Sequence, residues 1–316
     1  MPAIGFVCPD GLTATLKDCF TECRIKDELP CGRCKALPYL RKAASQREWT
    51  GEPSTTQLMT GTREAWLKIT RDYYINPDDR AFAILGTSAH GILDRFGHGD
   101  HLTEERLRDE ICSGAFDFYD GDSETLYDYK TSGSYKIQGA LGMGYTDEPE
   151  TDPFTEEVLV KTRGKNKGQA KTKRVWNNDD IATRGTTLLD FSIQLSNYRD
   201  KLKAVLPEGY TVKRLAIQFI ARDGGLMVST KRGIEQKAPL VPVNGISSHW
   251  IRKYFARKRE LLFKALQDDH SPICRHRERW YGRKCQQYCD VREACIMLPG
   301  WEGKAVDIEA ILQETF

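Results

Sequence analysis

Apolar residues do not recur evenly along this chain. Residues 1–50 show no sustained apolar periodicity and are rich in Cys, Pro and Gly, a pattern that predicts a small module held by metal in place of a core of its own. From Pro53 the pattern changes. Ser54 or Thr55 stands where a helix would be capped, with Leu58, Ala65, Trp66 and Ile69 on its buried face. Asn76-Pro77-Asp78-Asp79 reads as a turn. A second helix is predicted over residues 83–96, with Ile84, Leu85, Ile92 and Leu93 inward, and a third around 103–112. Residues 114–119 and 125–130 read as two strands joined in a hairpin by Asp120-Gly121-Asp122. Residues 133–180 run Gly-rich, then acidic, then basic, and read as an insertion, a long hairpin or a loop. A helix over 186–205, strands over 211–221 and 226–230, an amphipathic helix over 247–266 and a short helical tail complete the pattern. Helices, adjacent strands, a helix and further strands predict an α/β or α+β fold.

Composition bounds the class. With 316 residues, 40% hydrophobic and 29% charged, the chain suits one large globular domain with appendages, or two modest ones. No apolar run is long enough to cross a membrane, and no basic start with an apolar core marks an export signal. A cytoplasmic protein with no membrane partner is expected. A net charge of +2 demands no polyanionic partner, so a nucleic-acid case must rest on local charge. Lys161, Arg163, Lys165, Lys167, Lys171, Lys173 and Arg174 crowd one stretch. They suit a clamp on phosphates, with Lys165, Lys167 and Lys171 as candidate DNA contacts, or else a solvated loop.

Ten cysteines sharpen the picture. Cys8, Cys19, Cys23, Cys31 and Cys34 lie at the start, and Cys274, Cys285, Cys289 and Cys295 near the end. Without an export signal such thiols stay reduced, and clusters read as metal ligands before disulfides. A tetrahedral site needs four ligands; Cys8, Cys19, Cys23 and Cys34 are taken for zinc or an iron–sulfur cluster, with Cys31 the alternative to Cys34. Cys112 stands alone and reads as a small buried hydrophobe. A radical enzyme's C-x₃-C-x₂-C is absent, since Lys26 and Arg292 stand where its last cysteine would be.

The remaining chemistry is carboxylate and lysine. Asp128 and Lys130 are two apart on a predicted strand and share a face, with Asp117 on the strand across the hairpin. Oxygen ligands beside a lysine suit Mg²⁺ or Mn²⁺ and phosphodiester hydrolysis, because the cation polarises the phosphate while the ammonium steadies developing negative charge. An isolated D-x-K match more often marks a surface ion pair. Here His90 precedes it in Gly86-Thr-Ser-Ala-His90-Gly-Ile-Leu93-Asp94, and Gln194 and Tyr198 follow it four apart on a helix.

This ordered set resembles the RecB-like PD-(D/E)XK nucleases, including the iron–sulfur CRISPR-associated and AddB-type exonucleases. Their G-x-x-x-H-x-x-L-E, G-x-x-D, D-x-K and Q-x-x-x-Y motifs all find counterparts within residues 54–295. The resemblance implies a restriction-endonuclease-like core, a central mixed sheet flanked by helices, with cysteine-rich metal-bound extensions at both ends. The implied division is 1–50, 51–270 and 271–316. The resemblance further implies that His90, Asp117 and Asp128 bind the divalent cation, that Lys130 is the catalytic lysine, and that Gln194 and Tyr198 line the DNA path. Cys285, Cys289 and Cys295 match the family's terminal trio and imply a [4Fe–4S] cluster. The family's remaining ligand lies in the first nuclease helix, where this chain has Thr60–Trp66 and no cysteine; Cys274 is the nearest substitute, and Cys31 or Cys34 are others. Asp94 stands where the family often has Glu. The expected activity is metal-dependent exonucleolytic cleavage of single-stranded or end-processed DNA, with a helicase or recombination partner. The rivals are a sequence-specific or RNA-directed endonuclease, and a non-catalytic DNA-binding scaffold with two zinc or iron–sulfur modules.

Overall fold

The computed structural model describes residues 3–97, 101–103, 105–153 and 155–298. The chain divides into two compact units. Residues 1–126, 194–213 and 246–316 form the first, and residues 127–193 and 214–245 the second. Both cysteine-rich ends therefore belong to one unit, and residues 133–180 belong to the other.

The first unit opens with the antiparallel hairpin β1 (Gly5–Val7) and β2 (Thr13–Thr15). Then come α1 (Leu16–Thr21), capped by the Thr15 hydroxyl accepting from the Asp18 N–H, and α2 (Leu37–Ala44), with Pro38 in its first turn. α3 (Thr55–Met59) starts from a capping box: Ser54, not Thr55, accepts from the Gln57 N–H, and the Gln57 side chain accepts from the Ser54 N–H. α4 (Thr62–Thr70) buries Ala65, Trp66 and Leu67. β3 (Tyr74–Ile75) runs parallel to β1 and completes a mixed sheet in the order β2-β1-β3.

α5 (Ala81–Leu93) departs from the expectation. Its apolar residues form the stripe that periodicity implies, but Leu85 and Ile92 are 46% and 57% exposed, and no residue of α5 is buried. Periodicity says that a face is apolar; it does not supply the element that covers it. The helix expected around 103–112 is absent as well. β4 (Leu102–Thr103) and β5 (Arg106–Arg108) lie there, and the Asp109 carboxylate accepts from the Ile111 and Cys112 N–H groups, a local turn that competes with helix. The strand expected over 114–119 is two: β6 (Ser113–Ala115), antiparallel to β5, and β7 (Phe118–Asp120), antiparallel to β4. β8 (Thr125–Ser132) carries the chain into the second unit.

The second unit continues with α6 (Ser134–Leu141) and the six-residue antiparallel ladder of β9 (Gly144–Pro149) and β10 (Thr172–Asn177). The insertion is thus a long hairpin. α7 (Ile181–Leu202) follows and returns to the first unit from Gln194. β11 (Arg214–Ala221) lies between β8 and β12 (Leu240–Val243), antiparallel to the latter. Phe191 and Phe219 meet edge to face in this unit's core. The strand expected over 226–230 is instead α8 (Met227–Thr230): Gly225 at φ +86° turns the chain, and the Ser229 and Thr230 N–H groups donate to the Leu226 carbonyl.

Back in the first unit, α9 (Ser248–Asp268) is capped by Ser247 and buries Ile251, Phe255, Leu262 and Ala265. α10 (Arg283–Gln287) and α11 (Arg292–Ile296) follow. The expected tail beyond residue 298 lies outside the described residues. Among those residues no helix is long and apolar enough to cross a membrane. The protein is a mixed α/β chain whose sheets are flanked by helices.

Candidate active site and metal centres

His90 projects from the C-terminal half of α5, and its Nδ1 lies 3.3 Å from Asp117 Oδ1 in the β6–β7 connection. An imidazolium or the Nδ1–H tautomer makes such a contact. The approach to Asp117 depends on Gly114, where an added Cβ would run into the Tyr198 ring and the Thr55 hydroxyl. Tyr198 is accordingly packed against β6 and only 4% exposed, so its ring is used in packing, where the resemblance implies a residue lining the DNA path. Gln194 donates from Nε2 to the Tyr198 hydroxyl at 3.2 Å and is itself half-buried.

In the second unit, β8 holds Asp128, 3% exposed, and Lys130, whose Nζ lies 2.6 Å from Asp128 Oδ2. A surface ion pair would leave both groups in water; here the carboxylate is withdrawn from it. Lys136 on α6 is a neighbour that sequence reasoning missed. Much of its side chain meets solvent, but its ammonium lies 4.4 Å from the Phe191 ring centroid. Loss of hydration lowers its pKa, Lys130 adds repulsion, and Asp190 and Asp128 oppose both. The signal available was a lysine six residues past Lys130, in the first turn of the following helix.

The basic stretch is tied up in its hairpin. Lys173 lies opposite Glu148 and Arg174 opposite Asp147 across the β9–β10 ladder. Arg174 also sits 4.2 Å over the Tyr145 ring, which meets Trp176 edge on. Lys165 and Lys167 are exposed at the tip, between Gly164 and Gly168 at positive φ, and Lys171 is half-buried.

The C-terminal thiols gather at the start of α4. An added Cβ at Gly61 would collide with the Cys274 sulfur, and the Glu64 N–H donates to that sulfur. Arg63 donates to the Cys295 carbonyl at 3.1 Å and to its sulfur. Cys274 feels the charge of Cys295, and Cys295 that of Cys285. Glu64 is 2.5 Å from Lys284 and 3.0 Å from Lys68, and Lys68 and Arg80 both reach Asp290. Burial pushes the Cys274 thiol up to about 11, against the opposing Glu64 N–H, and the Cys289 thiol up to about 12, where the Glu64 carboxylate adds to it. Four sulfurs ringed by Arg63, Lys68, Lys284 and Arg279 form a donor set that fits a thiolate-bound cluster, whose negative charge those cations would offset. The resemblance had pointed to the Thr60–Trp66 stretch, but neither Arg63 nor Glu64 belongs to a cysteine motif, so their contact with the thiols had no signal of its own.

At the N-terminus, Cys8 begins a turn in which its N–H donates to the Leu12 carbonyl and the Gly11 N–H to the Cys8 carbonyl. Burial raises the Cys19 thiol, and the charges of Cys34, Cys8 and Cys23 raise it further. Cys34 likewise feels Cys23 and Cys8. Cys31 is exposed, whereas Cys19 is buried and Cys8, Cys23 and Cys34 are half-buried. Among the described residues no three of these sulfurs lie within 4.8 Å of one another, so the thiols stand farther apart than the ligands of a bound tetrathiolate site do.

One further group was not anticipated. His101, Asp120 and Asp122 bring potential ligand atoms within 4.8 Å of one another. The Asp120 oxygens already accept from Ser123 and from the Asp122 and Ser123 N–H groups, so this trio reads as the β7–β8 turn.

No protein family and no curated protein matches the chain. A solved structure described as "Crystal structure of SSO0001" is similar over 83% of this chain and 93% of its own, at 13% identity and a TM-score of 0.41. At that level nothing about chemistry passes from one protein to the other.

Proposed function

We propose that this chain is a divalent-metal-dependent deoxyribonuclease of the RecB-like PD-(D/E)XK kind, acting as an exonuclease on single-stranded or end-processed DNA. The observation that carries the reading is Asp128, a carboxylate buried on β8 whose charge is answered by Lys130 at 2.6 Å. Withdrawing a charged carboxylate from water is a cost that a purely structural strand has no need to bear. His90 against Asp117 supports it, because a carboxylate that orients an imidazole is a common device in cation sites.

In this reading the resemblance assigns the cation, Mg²⁺ or Mn²⁺, to His90, Asp117 and Asp128, and the cation would polarise the phosphate. Lys130 orients the attacking water and steadies charge on the phosphate oxygens. Water adds to phosphorus and the bond to the 3′-oxygen breaks, leaving 5′-phosphate and 3′-hydroxyl ends. Lys136 is a second lysine in this unit, its ammonium held over the Phe191 ring. Tyr198 and Gln194 act by positioning the Gly114–Asp117 segment. The C-terminal thiols hold a [4Fe–4S] cluster and the N-terminal four hold zinc or a second cluster.

The test is cleavage of end-labelled single- and double-stranded DNA with Mn²⁺ or Mg²⁺ on anaerobically purified protein, wild type beside Lys130→Ala. Loss of roughly 10²–10³-fold in rate is expected for the variant. Undiminished cleavage by Lys130→Ala would move the chemistry to another centre. No cleavage by the loaded wild type on any DNA would leave the non-catalytic scaffold.

A further inference from the structure

The chain's modest net charge hides an uneven distribution. Residues 248–292 carry twelve lysines and arginines against five carboxylates, whereas the whole chain has 47 against 45. This segment comprises α9 and the stretch leading through the C-terminal cysteines, within the first unit.

A cavity of about 380 Å³ opens there, lined by Trp250, Lys253, Tyr254, Arg257, Ile273 and Arg275 among others. That volume lies in the range of small-ligand sites. Trp250, Lys253, Tyr254, Arg257 and Leu261 fall at i, i+3, i+4, i+7 and i+11, one stripe of α9 beside the face that Ile251, Phe255 and Leu262 bury. Trp250 and Tyr254 stack at 5.1 Å with their planes 11° apart, and Trp250 keeps 43% of its surface exposed. Two stacked rings, one meeting solvent, make a platform for a further flat group.

The charges beside the platform are cationic and exposed. Lys253 and Arg275 meet solvent, and among the described residues Arg257 has the exposed Glu260 as its ion-pair partner. The cavity's carboxylate, Glu278, is engaged: Lys258 donates to it at 2.6 Å and the Arg275 N–H at 2.9 Å. The positive field of the wall is therefore left largely uncancelled. A flat aromatic surface flanked by such cations is complementary to a base with its phosphate, and such platforms bind single strands without reading sequence.

We infer that this cavity is a binding site for single-stranded nucleic acid, in which a base stacks on Trp250 and the flanking phosphates meet Lys253, Arg257 and Arg275. It uses none of His90, Asp117, Asp128 or Lys130, so it holds whether or not the chain cuts DNA.

The experiment is fluorescence anisotropy of a short fluorescein-labelled oligothymidylate on full-length Lys130→Ala protein with its metal centres loaded and no Mg²⁺ or Mn²⁺ added. Cleavage then plays no part in the signal. Trp250→Ala/Tyr254→Ala is expected to weaken binding roughly 5- to 150-fold. Lys253→Ala/Arg257→Ala is expected to lower the slope of log affinity against log salt by roughly 1.4, about 0.7 for each phosphate no longer neutralised. If the aromatic variant loses its native circular dichroism, the exposed reversal Arg275→Glu must weaken binding by itself. Unchanged affinity in the folded variants would overturn the site. Displacement of the oligonucleotide by polyglutamate as readily as by unlabelled oligothymidylate would overturn the class of ligand.

Discussion

The N-terminal thiols hang from a turn, a six-residue helix and loops, and the ion pair beside them, Arg24 with Asp10, is exposed. The C-terminal thiols are set against α4 by charges drawn inside the protein. Arg63 is 1% exposed and Glu64 5%, and both sit in the helix that also buries Trp66. The contrast teaches that similar cysteine spacings can be built into a fold in different ways. At one end metal would hold together a local module; at the other, the residues around the thiols are part of the core.

The largest effect expected from this difference is at Glu64. Glu64→Ala leaves Lys284 and Lys68 without their buried partner and is expected to cost roughly 3–5 kcal/mol, read from the urea midpoint of the loaded protein. Arg24→Ala at the other centre should leave that midpoint where it is. An equal loss from both would abolish the distinction.

Metal content offers the next test. Cys19→Ser should empty the N-terminal site while the visible absorption of the C-terminal cluster stays, and Cys289→Ser should do the reverse. Loss of both centres in either variant would mean that the two are coupled.

A smaller effect lies in acid. Burial alone would raise the Asp290 carboxyl; the cations Lys68 and Arg80, each also hydrogen-bonded to it, outweigh burial and hold it below its ordinary 3.8. A carboxylate held low adds stability above its unfolded value and loses it as pH falls through the lower folded one. Wild type should therefore lose its advantage over Asp290→Asn below about pH 4. Parallel stability curves for the two would show that the pair contributes nothing.

Least of all should change in Cys31→Ser, since Cys31 is exposed. Loss of a metal equivalent would put it back among the ligands.

Several features were legible from local chemistry. The Ser54 cap, the hairpin turn at Asp120 and the amphipathic α9 all announce themselves within a few residues. Residues two apart on one strand share a face, so Asp128 and Lys130 were placed to meet. Local reading failed where a partner decides. Asp109 diverts residues 103–112 from helix by taking two backbone N–H groups, and it closes on buried Lys201 as well. The same periodicity that placed an apolar face on α9 placed one on α5, yet only the first is covered.

By itself the sequence determined which residues carry chemistry: nine of the ten cysteines in two clusters, the D-x-K pair, a histidine before it and a basic stretch over 161–174. Spacing along a helix or strand is set by backbone geometry, so these juxtapositions needed no fold to be seen. Only the tertiary structure decided that Tyr198 packs its ring on Gly114, that Arg63 and Glu64 lie against the C-terminal thiols, and that Cys19 is buried while Cys31 is exposed. Each of those depends on residues far apart in the chain being brought close by burial, and burial is a property of the packed whole.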